Sequence, residues 1–323
     1  MKLFVTGGAG YIGSAFVEEA LNAGHEVTVF DNLSEGHRAA VDPRARFVEG
    51  CLSQRPAVDA ALRAAGAEAV VHFAARALVG ESMTDPGKYF GNNVANGLNL
   101  LEATTTAGIR KFVFSSTCAT FGIPEVMPMT EDLPQRPVNP YGESKLMFET
   151  MLRWFREIHG LEFVVFRYFN AAGATKRFGE AHRIETHLIP NVLKVALGQA
   201  ESCKIFGTDY PTPDGTCVRD YIHVSDLAQA HLLALAPGKA GFYNLGNGDG
   251  YSVREVIDTC RAVSGREIKA LEEPRRPGDP PRLIADATKA VNELGWQPKF
   301  PKLEDIVCSA WEWHVGHPKG YGG

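Results

Sequence analysis

The sequence predicts an α/β protein, with a doubly wound parallel sheet followed by a smaller C-terminal α/β lobe. Short β-branched runs alternate with longer helical patterns through the first half, which implies parallel strands covered by helices on both faces. After Asn170, Gly, Pro and charged residues become frequent and the elements shorten. With 323 residues and 45% hydrophobic content, the chain suffices for two lobes. We predict domains over residues 1–169 and 170–323.

The elements of the first lobe follow from hydrophobic periodicity. Runs rich in β-branched and aromatic residues predict strands at 3–6, 26–30, 46–48, 69–73, 112–115 and 163–166. Apolar residues at helical spacing predict helices at 12–23, 58–65, 89–106 and 141–159. Two later segments, 225–236 and 242–245, could pack back onto the first lobe, so we assign 225–246 to it provisionally.

Composition excludes several classes of function. The net charge is −5 and no run of Lys and Arg is longer than the Arg275–Arg276 pair, so no nucleic acid partner is expected. No stretch approaches ~18 uninterrupted apolar residues, which predicts no membrane span. Six scattered cysteines lack C-x-x-C or His spacing, which indicates a reducing compartment without a structural zinc. We expect a cytoplasmic protein and no metal site.

A glycine-rich turn joins the first predicted strand to the first helix. Residues 6–14 read Thr-Gly-Gly-Ala-Gly-Tyr-Ile-Gly-Ser, so that Gly7, Gly10 and Gly13 are spaced three apart. Small residues let the backbone approach a pyrophosphate, and the helix N-terminus offers unpaired N–H groups. Asp31 ends the second strand, where a carboxylate accepts ribose hydroxyls and repels a 2′-phosphate. The sequence therefore predicts a Rossmann-type domain that binds NAD rather than NADP.

Two predicted catalytic side chains open the helix at 141–159. Tyr141 and Lys145 are four residues apart and share one helical face. A free Tyr has a pKa near ~10, and a neighbouring Lys⁺ and an oxidised nicotinamide would lower that pKa. Tyr141 is thus a candidate proton acceptor, whereas a solvated helix face would be the plain structural alternative.

Hydroxyl side chains end the strand predicted at 112–115. Ser115, Ser116 and Thr117 lie at the carboxyl edge of the sheet, where ligands of open α/β folds bind. A hydroxyl there can hold a substrate oxygen, although strand ends also use such residues for turns. With Tyr141 and Lys145, the three features favour catalysis over a purely structural role.

Together these motifs resemble the nucleotide-sugar 4-epimerases of the extended short-chain dehydrogenase/reductase family, nearly from end to end. Further matching segments are 31–34 (Asp-Asn-Leu-Ser), 72–75 (His-Phe-Ala-Ala), 79–82 (Val-Gly-Glu-Ser), 92–94 (Asn-Asn-Val), 167–170 (Arg-Tyr-Phe-Asn), 214–224, 243–246 (Tyr-Asn-Leu-Gly) and 275–279 (Arg-Arg-Pro-Gly-Asp). The later segments are the specific ones, because they belong to the sugar-nucleotide lobe of that family.

The resemblance implies reversible C4 epimerisation of UDP-glucose and UDP-galactose through a 4-keto sugar. Tyr141 would take the 4-OH proton while hydride passes to NAD, Lys145 would tune Tyr141, and Thr117 would bond O4. The implied NAD-binding residues are Gly7, Gly10, Tyr11, Ile12, Gly13, Asp31, Asn32, Leu33, Cys51, Leu52, Phe73, Ala74, Ala75, Asn93, Ser115, Tyr141, Lys145 and Tyr168.

The same resemblance implies a UDP-sugar site in the second lobe. Arg219 and Arg276 would clamp the diphosphate, Phe206 would pack on uracil, and Asp279 would contact a ribose hydroxyl. Asn170, His187 and Leu188 would contact the phosphate and sugar, besides Thr117 and Tyr141, and Leu283 would face the sugar C2 substituent. The structural alternatives are that Phe206 and Leu283 belong to the core and that His187 only opens a helix.

Two departures from the family pattern concern the cofactor. Relatives carry Asp for the adenine amine where this chain has Gly50-Cys51-Leu52, and many carry Lys where Ala77 stands. We therefore expect weaker retention of NAD. By the same resemblance, helices near 89–106 and 146–159 form a four-helix interface, which implies a homodimer.

Other functions remain as alternatives. A 4,6-dehydratase would need an acid–base pair directly after Thr117, but Cys118 and Ala119 stand there. A UDP-uronic acid epimerase or decarboxylase would need cationic contacts at the sugar C6, and a UDP-pentose epimerase stays open. A non-catalytic NAD-sensing regulator would not need Tyr141 or Lys145.

Overall fold

The computed structural model describes residues 1–276 and 278–322. In chain order its strands are β1 (Lys2–Thr6), β2 (Glu26–Asp31), β3 (Arg46–Glu49), β4 (Ala69–His72), β5 (Lys111–Thr117), β6 (Glu162–Tyr168), β7 (Asn170–Ala172), β8 (Cys203–Phe206), β9 (Val218–His223), β10 (Gly241–Leu245), β11 (Gly250–Ser252), β12 (Ala270–Glu273) and β13 (Arg282–Leu283). The main sheet has the order β10-β6-β5-β4-β1-β2-β3, with parallel pairing throughout. The predicted parallel sheet is confirmed.

Helices cover both faces of this sheet. They are α1 (Tyr11–Asn22), α2 (Arg55–Ala65), α3 (Val79–Ser82), α4 (Pro86–Tyr89), α5 (Asn96–Thr106), α6 (Pro140–His159), α7 (Leu188–Ala196), α8 (Val224–Leu233), α9 (Val253–Ser264) and α10 (Leu303–Gly316). Alternate residues of β1 enter opposite cores, because Val5 packs with α1 and α8 whereas Phe4 packs with α2, α5 and α6. The sheet is therefore doubly wound, as predicted.

The helix predicted over 89–106 is wrong in detail. Helix α4 ends at Tyr89, a π-helical turn occupies Phe90–Ala95, and α5 begins at Asn96. Within that turn Asn93 is buried and bonds the main chain of Arg76 and the hydroxyl of Ser144. These tertiary bonds hold a wider turn that apolar periodicity does not register.

The second lobe has its own small sheets and core. Strand β9 is flanked by β7, β11 and β13, and β8 pairs with β12. Helices α7, α9 and α10 supply buried residues such as Leu193, Ile257 and Ile306. Among the residues described, no helix is long and apolar enough to cross a membrane.

The chain returns to the first lobe before its end. Strand β10 pairs with β6 at the edge of the main sheet, and Leu227 and Ala230 of α8 join the core that covers β1. The assignment of 1–169 to NAD binding and of 170–323 to UDP-sugar binding stays a prediction.

Candidate functional site

The carboxyl ends of β1, β4, β5 and β6 meet at one edge of the sheet. The register places Thr6 beside His72, and Ser115 and Thr117 beside Phe166 and Tyr168. The predicted glycine turn, the residues after β4, and the hydroxyl residues of β5 therefore share this edge. This is where open α/β sheets bind their ligands.

The glycine turn packs directly against the segment that follows β4. Gly7 has φ +75°, and a Cβ there would lie 2.5 Å from the backbone nitrogen of Ala74. A Cβ at Gly13 would lie 2.1 Å from the carbonyl oxygen of Gly7. Gly10 caps α1 without a side-chain bond, so the first N–H groups of the helix stay open to an anion.

Asp31 lies in the wall beside the turn. One carboxylate oxygen accepts from the Ala9 N–H at 3.0 Å, and the other accepts from the Leu33 N–H at 2.8 Å. Burial raises the pKa of Asp31, and the backbone N–H groups oppose that rise. Each oxygen retains a lone pair, so that the carboxylate can accept further hydroxyl groups.

A cleft joins most of the predicted cofactor residues. It is lined by Gly7, Gly10, Asp31, Asn32, Cys51, Leu52, Phe73, Ala74 and Ala75. Sequence reasoning missed seven further lining residues, namely Phe30, Ser34, Glu35, Gly36, Gly50, Arg76 and Asn92. Arg76 and Glu35 form an ion pair beside the cleft. In the sequence, the opposite charges of Arg76 and Glu35 were the only sign that these two residues belong to the cleft.

Other predicted cofactor residues support the walls of the site. The Tyr11 hydroxyl donates to the Gly173 carbonyl at 2.6 Å, and burial raises the pKa of that phenol. Ile12 packs against the main core, and Leu33 has φ 57° in the turn after Asp31. Ser115 and Tyr168 share a hydrogen bond across β5 and β6.

Lys145 is deeply buried on α6. Its ammonium donates to the Ser115 carbonyl at 2.7 Å and lies 4.8 Å from the Phe114 ring centre. Burial lowers the pKa of Lys145 to about 7. The amine can therefore gain or lose a proton near neutral pH, unlike a solvated lysine.

Tyr141 has a raised pKa within the chain itself. Burial, and then the neighbouring Tyr168, raise the pKa of Tyr141, while a hydrogen bond with Thr117 opposes the rise. The lowered pKa expected from Lys145 and an oxidised nicotinamide together stays a prediction, because the rise described here comes from the chain's own groups. Desolvation is the dominant effect, so the phenolate needs added positive charge from what binds beside it.

Thr117 and Cys118 follow at the end of β5. The Thr117 hydroxyl accepts from the Ala119 N–H at 3.1 Å, which starts the 3₁₀ turn Cys118–Phe121. Burial raises the pKa of the Cys118 thiol to about 12. So weak an acid is poorly matched to proton transfer at neutral pH, which is the task of the carboxylic acid in a dehydratase.

The sequence did not predict a buried ion pair that lies next to the predicted catalytic residues. Glu149 accepts from Arg167 at 2.7 Å and 3.1 Å, and from Ser116 at 2.7 Å. The two side chains of the ion pair are 0% and 2% exposed. Glu149 lies four residues after Lys145, so the spacing on one helical face was the available signal.

Several of the predicted substrate residues of the second lobe contact one another or their neighbours. Arg219 pairs with Asp279, and Arg276 stacks 4.0 Å from the Phe206 ring centre. Asn170 donates to the Asp220 carbonyl at 2.8 Å. Phe206 is therefore half-buried rather than core. Arg219 lies on β9, and Arg276 lies in the loop after β12.

Leu283 and His187 occupy different surroundings. Leu283 on β13 packs against a small apolar cluster of Cys118, Phe121 and Met129. Within this cluster, Cys118 directly follows Thr117 in the chain. His187 precedes Leu188 at the start of α7, and its ring nitrogen lies 2.8 Å from Glu180 and 2.9 Å from Glu185. The motif residue Pro277 lies outside the described residues.

Comparison with known proteins gives consistent results. A model described as "NAD dependent epimerase/dehydratase family" matches residues 3–246. A UDP-glucose 4-epimerase of Lacticaseibacillus casei is 49% identical, over 100% of this chain and 99% of that relative. A solved UDP-glucose 4-epimerase has a TM-score of 0.97 and 48% identity, covering 99% of both chains. Another from Bifidobacterium longum, in complex with NAD+ and UDP, has a TM-score of 0.95 and 37% identity, covering 99% and 100%.

Proposed function

This chain belongs to the NAD dependent epimerase/dehydratase family, and we propose that it interconverts UDP-glucose and UDP-galactose by reversible epimerisation at C4. One observation carries the proposal: Thr117 ends β5 at the sheet edge that the glycine turn shares, and buried Lys145, on the helix whose first turn holds Tyr141, is bonded to the Ser115 carbonyl at the same edge. The full-length similarity to UDP-glucose 4-epimerases supports the choice of substrate.

The first lobe fits a dinucleotide on its own geometry. Gly7 and Gly13 leave spaces that a Cβ would fill, and the N-terminus of α1 presents uncapped N–H groups. Asp31 has free acceptor capacity for a ribose. When bound, NAD supplies a reversible hydride acceptor for the sugar C4.

The chain itself handles the proton and the sugar oxygen. We assign Tyr141 as acceptor of the 4-OH proton and Thr117 as the hydroxyl that holds O4. Lys145, held by the Ser115 carbonyl, contributes positive charge when it is protonated, which favours the phenolate of Tyr141. Because the same groups can return the proton, the two hexoses interconvert in both directions.

The second lobe binds the UDP group. Arg219 and Arg276 offer guanidinium donors for phosphate, and Phe206 offers a ring face for a base. Asp279 now neutralises Arg219, so bound phosphates would compete with this carboxylate. Incubating the purified protein and NAD with UDP-galactose should give UDP-glucose, whereas dTDP-sugar dehydration or no turnover would contradict the proposal.

Weak retention of NAD is the first prediction. Cys51 lines the cleft, and its sulfur accepts only from Ser53 at 3.1 Å and Asn32 at 3.7 Å among the described residues. A carboxylate there would add one hydrogen bond worth ~1–2 kcal/mol, so Cys51→Asp should tighten NAD binding roughly tenfold. The purified wild type should contain less than one NAD per chain, and titration with NAD should measure the binding constants of both proteins. Cys308→Asp is the control, and quantitative, undialysable NAD in the wild type would refute the prediction.

Sugar selection at Leu283 is the second prediction. An acetamido group beside this side chain would force repacking at a cost of ~1–3 kcal/mol, which gives roughly ten- to a hundred-fold preference for the plain hexoses. Leu283→Ser should raise kcat/KM for UDP-N-acetylglucosamine and change that for UDP-glucose little. Leu271→Ser, on the exposed strand β12, is the control. An unchanged ratio of the two kcat/KM values would show that Leu283 is not the gate.

The third prediction is that the protein forms a homodimer. Met147, Trp154 and Ile158 of α6 are 42%, 62% and 68% exposed and lie on one helical face. We propose that this face meets its copy in a second chain. Trp154→Glu should weaken the dimer at least ~30-fold in sedimentation, since interface Trp residues are typical hot spots. Val315→Glu on α10 should leave the dimer intact, and a wild-type monomer would refute the interface.

A further inference from the structure

Four potential metal ligands lie together between β7 and α7. Glu180, His182, Glu185 and His187 each offer one ligand atom, and these atoms all lie within 4.8 Å of one another. Cysteine spacing, on which the expectation of no zinc rested, does not register this pattern. The pattern Glu-x-His-x-x-Glu-x-His is a compact, mixed nitrogen and oxygen donor set.

The separations suit a shared ion. His187 Nδ1 lies 2.8 Å from a Glu180 oxygen and 2.9 Å from a Glu185 oxygen. His182 Nε2 lies 3.2 Å from the same Glu180 oxygen. Ligand atoms about 2.1 Å from one ion lie roughly 3.0–3.4 Å apart at octahedral or tetrahedral angles. A small adjustment of the side chains would therefore admit a cation.

Charge gives the second reason. The side chains of Glu180 and Glu185 are only 5% and 4% exposed, and adjacent buried carboxylates need compensating positive charge. Their ion pairs within the described residues are with His182 and His187. The buried Oε1 of Glu180 accepts no well-directed hydrogen bond, although it points at both imidazoles.

We propose that Glu180, His182, Glu185 and His187 bind one divalent transition-metal ion of the zinc class. Two imidazoles and two carboxylates are typical of zinc and unlike the all-oxygen sites of Mg²⁺ or Ca²⁺. The proposal assigns His187 to the ion rather than to the sugar and phosphate contact that the family resemblance implied, because its ring nitrogen faces Glu180 and Glu185. The site includes neither Tyr141 nor Lys145 and performs no step of the epimerisation. Its inference does not depend on the proposed substrate.

The position of the site suggests a structural role. The His182 ring lies 6.1 Å from the Tyr11 ring in the glycine turn, in an edge-on arrangement. The residues on either side of His182 contact the first lobe. The Ala181 carbonyl oxygen lies 2.7 Å from His37 Nε2, and Arg183 donates to the Leu33 carbonyl at 3.1 Å. An ion would fix this segment between the cofactor turn and helix α7 of the second lobe.

The test uses the full chain stripped with a chelator and then titrated with ZnCl2. We expect one equivalent of zinc per chain by calorimetry and a rise in Tm of at least about 2 °C. His182→Ala and Glu180→Gln should each weaken zinc binding at least ~10-fold and abolish the Tm rise. His159→Ala, an exposed histidine at the end of α6, should bind zinc as the wild type does.

Cobalt substitution identifies the donors. Bound Co²⁺ should show d–d absorption without a thiolate charge-transfer band, because no cysteine belongs to the cluster. Undiminished zinc binding in His182→Ala, or a thiolate band, would place the ion elsewhere and overturn the proposal. Absence of stoichiometric zinc binding in the wild type would also overturn it.

Discussion

Replacing Tyr141 by Phe is expected to lower the rate of epimerisation by at least ~10²-fold, the usual scale of general acid–base catalysis. The substitution removes the phenolic oxygen and leaves the ring in place, so folding should change little. Turnover of UDP-galactose is the measurement, with NAD content determined on the same samples. NAD binding should persist, because Tyr141→Phe leaves Gly7, Gly10, Asp31 and the other residues that line the cleft unchanged.

Tyr89 provides the matched control. Its ring centre lies 6.4 Å from that of Tyr141, and its hydroxyl is occupied by the Leu78 carbonyl at 2.6 Å. Tyr89→Phe also deletes one buried phenol, but it deletes no proposed proton acceptor. Near-normal turnover in Tyr141→Phe, or equal losses in both variants, would remove Tyr141 from its proposed role.

Replacing Glu149 by Ala is expected to destabilise the fold by ~3–5 kcal/mol. The substitution leaves the Arg167 guanidinium buried without its partner, and an unpaired buried charge is among the costliest defects in a protein. Urea unfolding measures the loss. The double variant Glu149→Met with Arg167→Met should recover much of it, since an apolar pair leaves no uncompensated charge.

An exposed ion pair is the control for that experiment. Arg55 contacts Glu102 at 2.5 Å, but the Glu102 side chain is half exposed. Glu102→Ala should therefore cost less than ~1 kcal/mol. A loss in Glu149→Ala no greater than that in Glu102→Ala would show that the buried pair adds little stability.

The strands and the glycine turn could be predicted because local sequence determines them. Buried parallel strands are continuous apolar runs, so the strand predicted over 163–166 is the centre of β6, Glu162–Tyr168. The turn residues Gly7 and Gly13 are needed for close backbone packing, which leaves a fixed spacing. The shared face of Tyr141 and Lys145 follows from helical geometry.

What could not be predicted depends on tertiary surroundings. Burial decides the pKa of Tyr141 and Lys145, and no spacing reports how much water the sheet edge excludes. The partner of Glu149 lies on another element, so one sequence gives no reason to choose Arg167. The sequence alone does not show that the side chains of Glu180, His182, Glu185 and His187 converge, because alternating acids and histidines also occur on solvated loops.

The fate of the hydrogen at C4 tests the central claim most directly. UDP-galactose deuterated at C4 would be incubated with the protein and NAD, and the UDP-glucose formed would be analysed by mass spectrometry. Removal and return of hydride at one enclosed site predicts that deuterium stays at C4 of the product. Loss of deuterium to solvent would indicate proton abstraction instead, and would contradict the account, as would the absence of UDP-glucose.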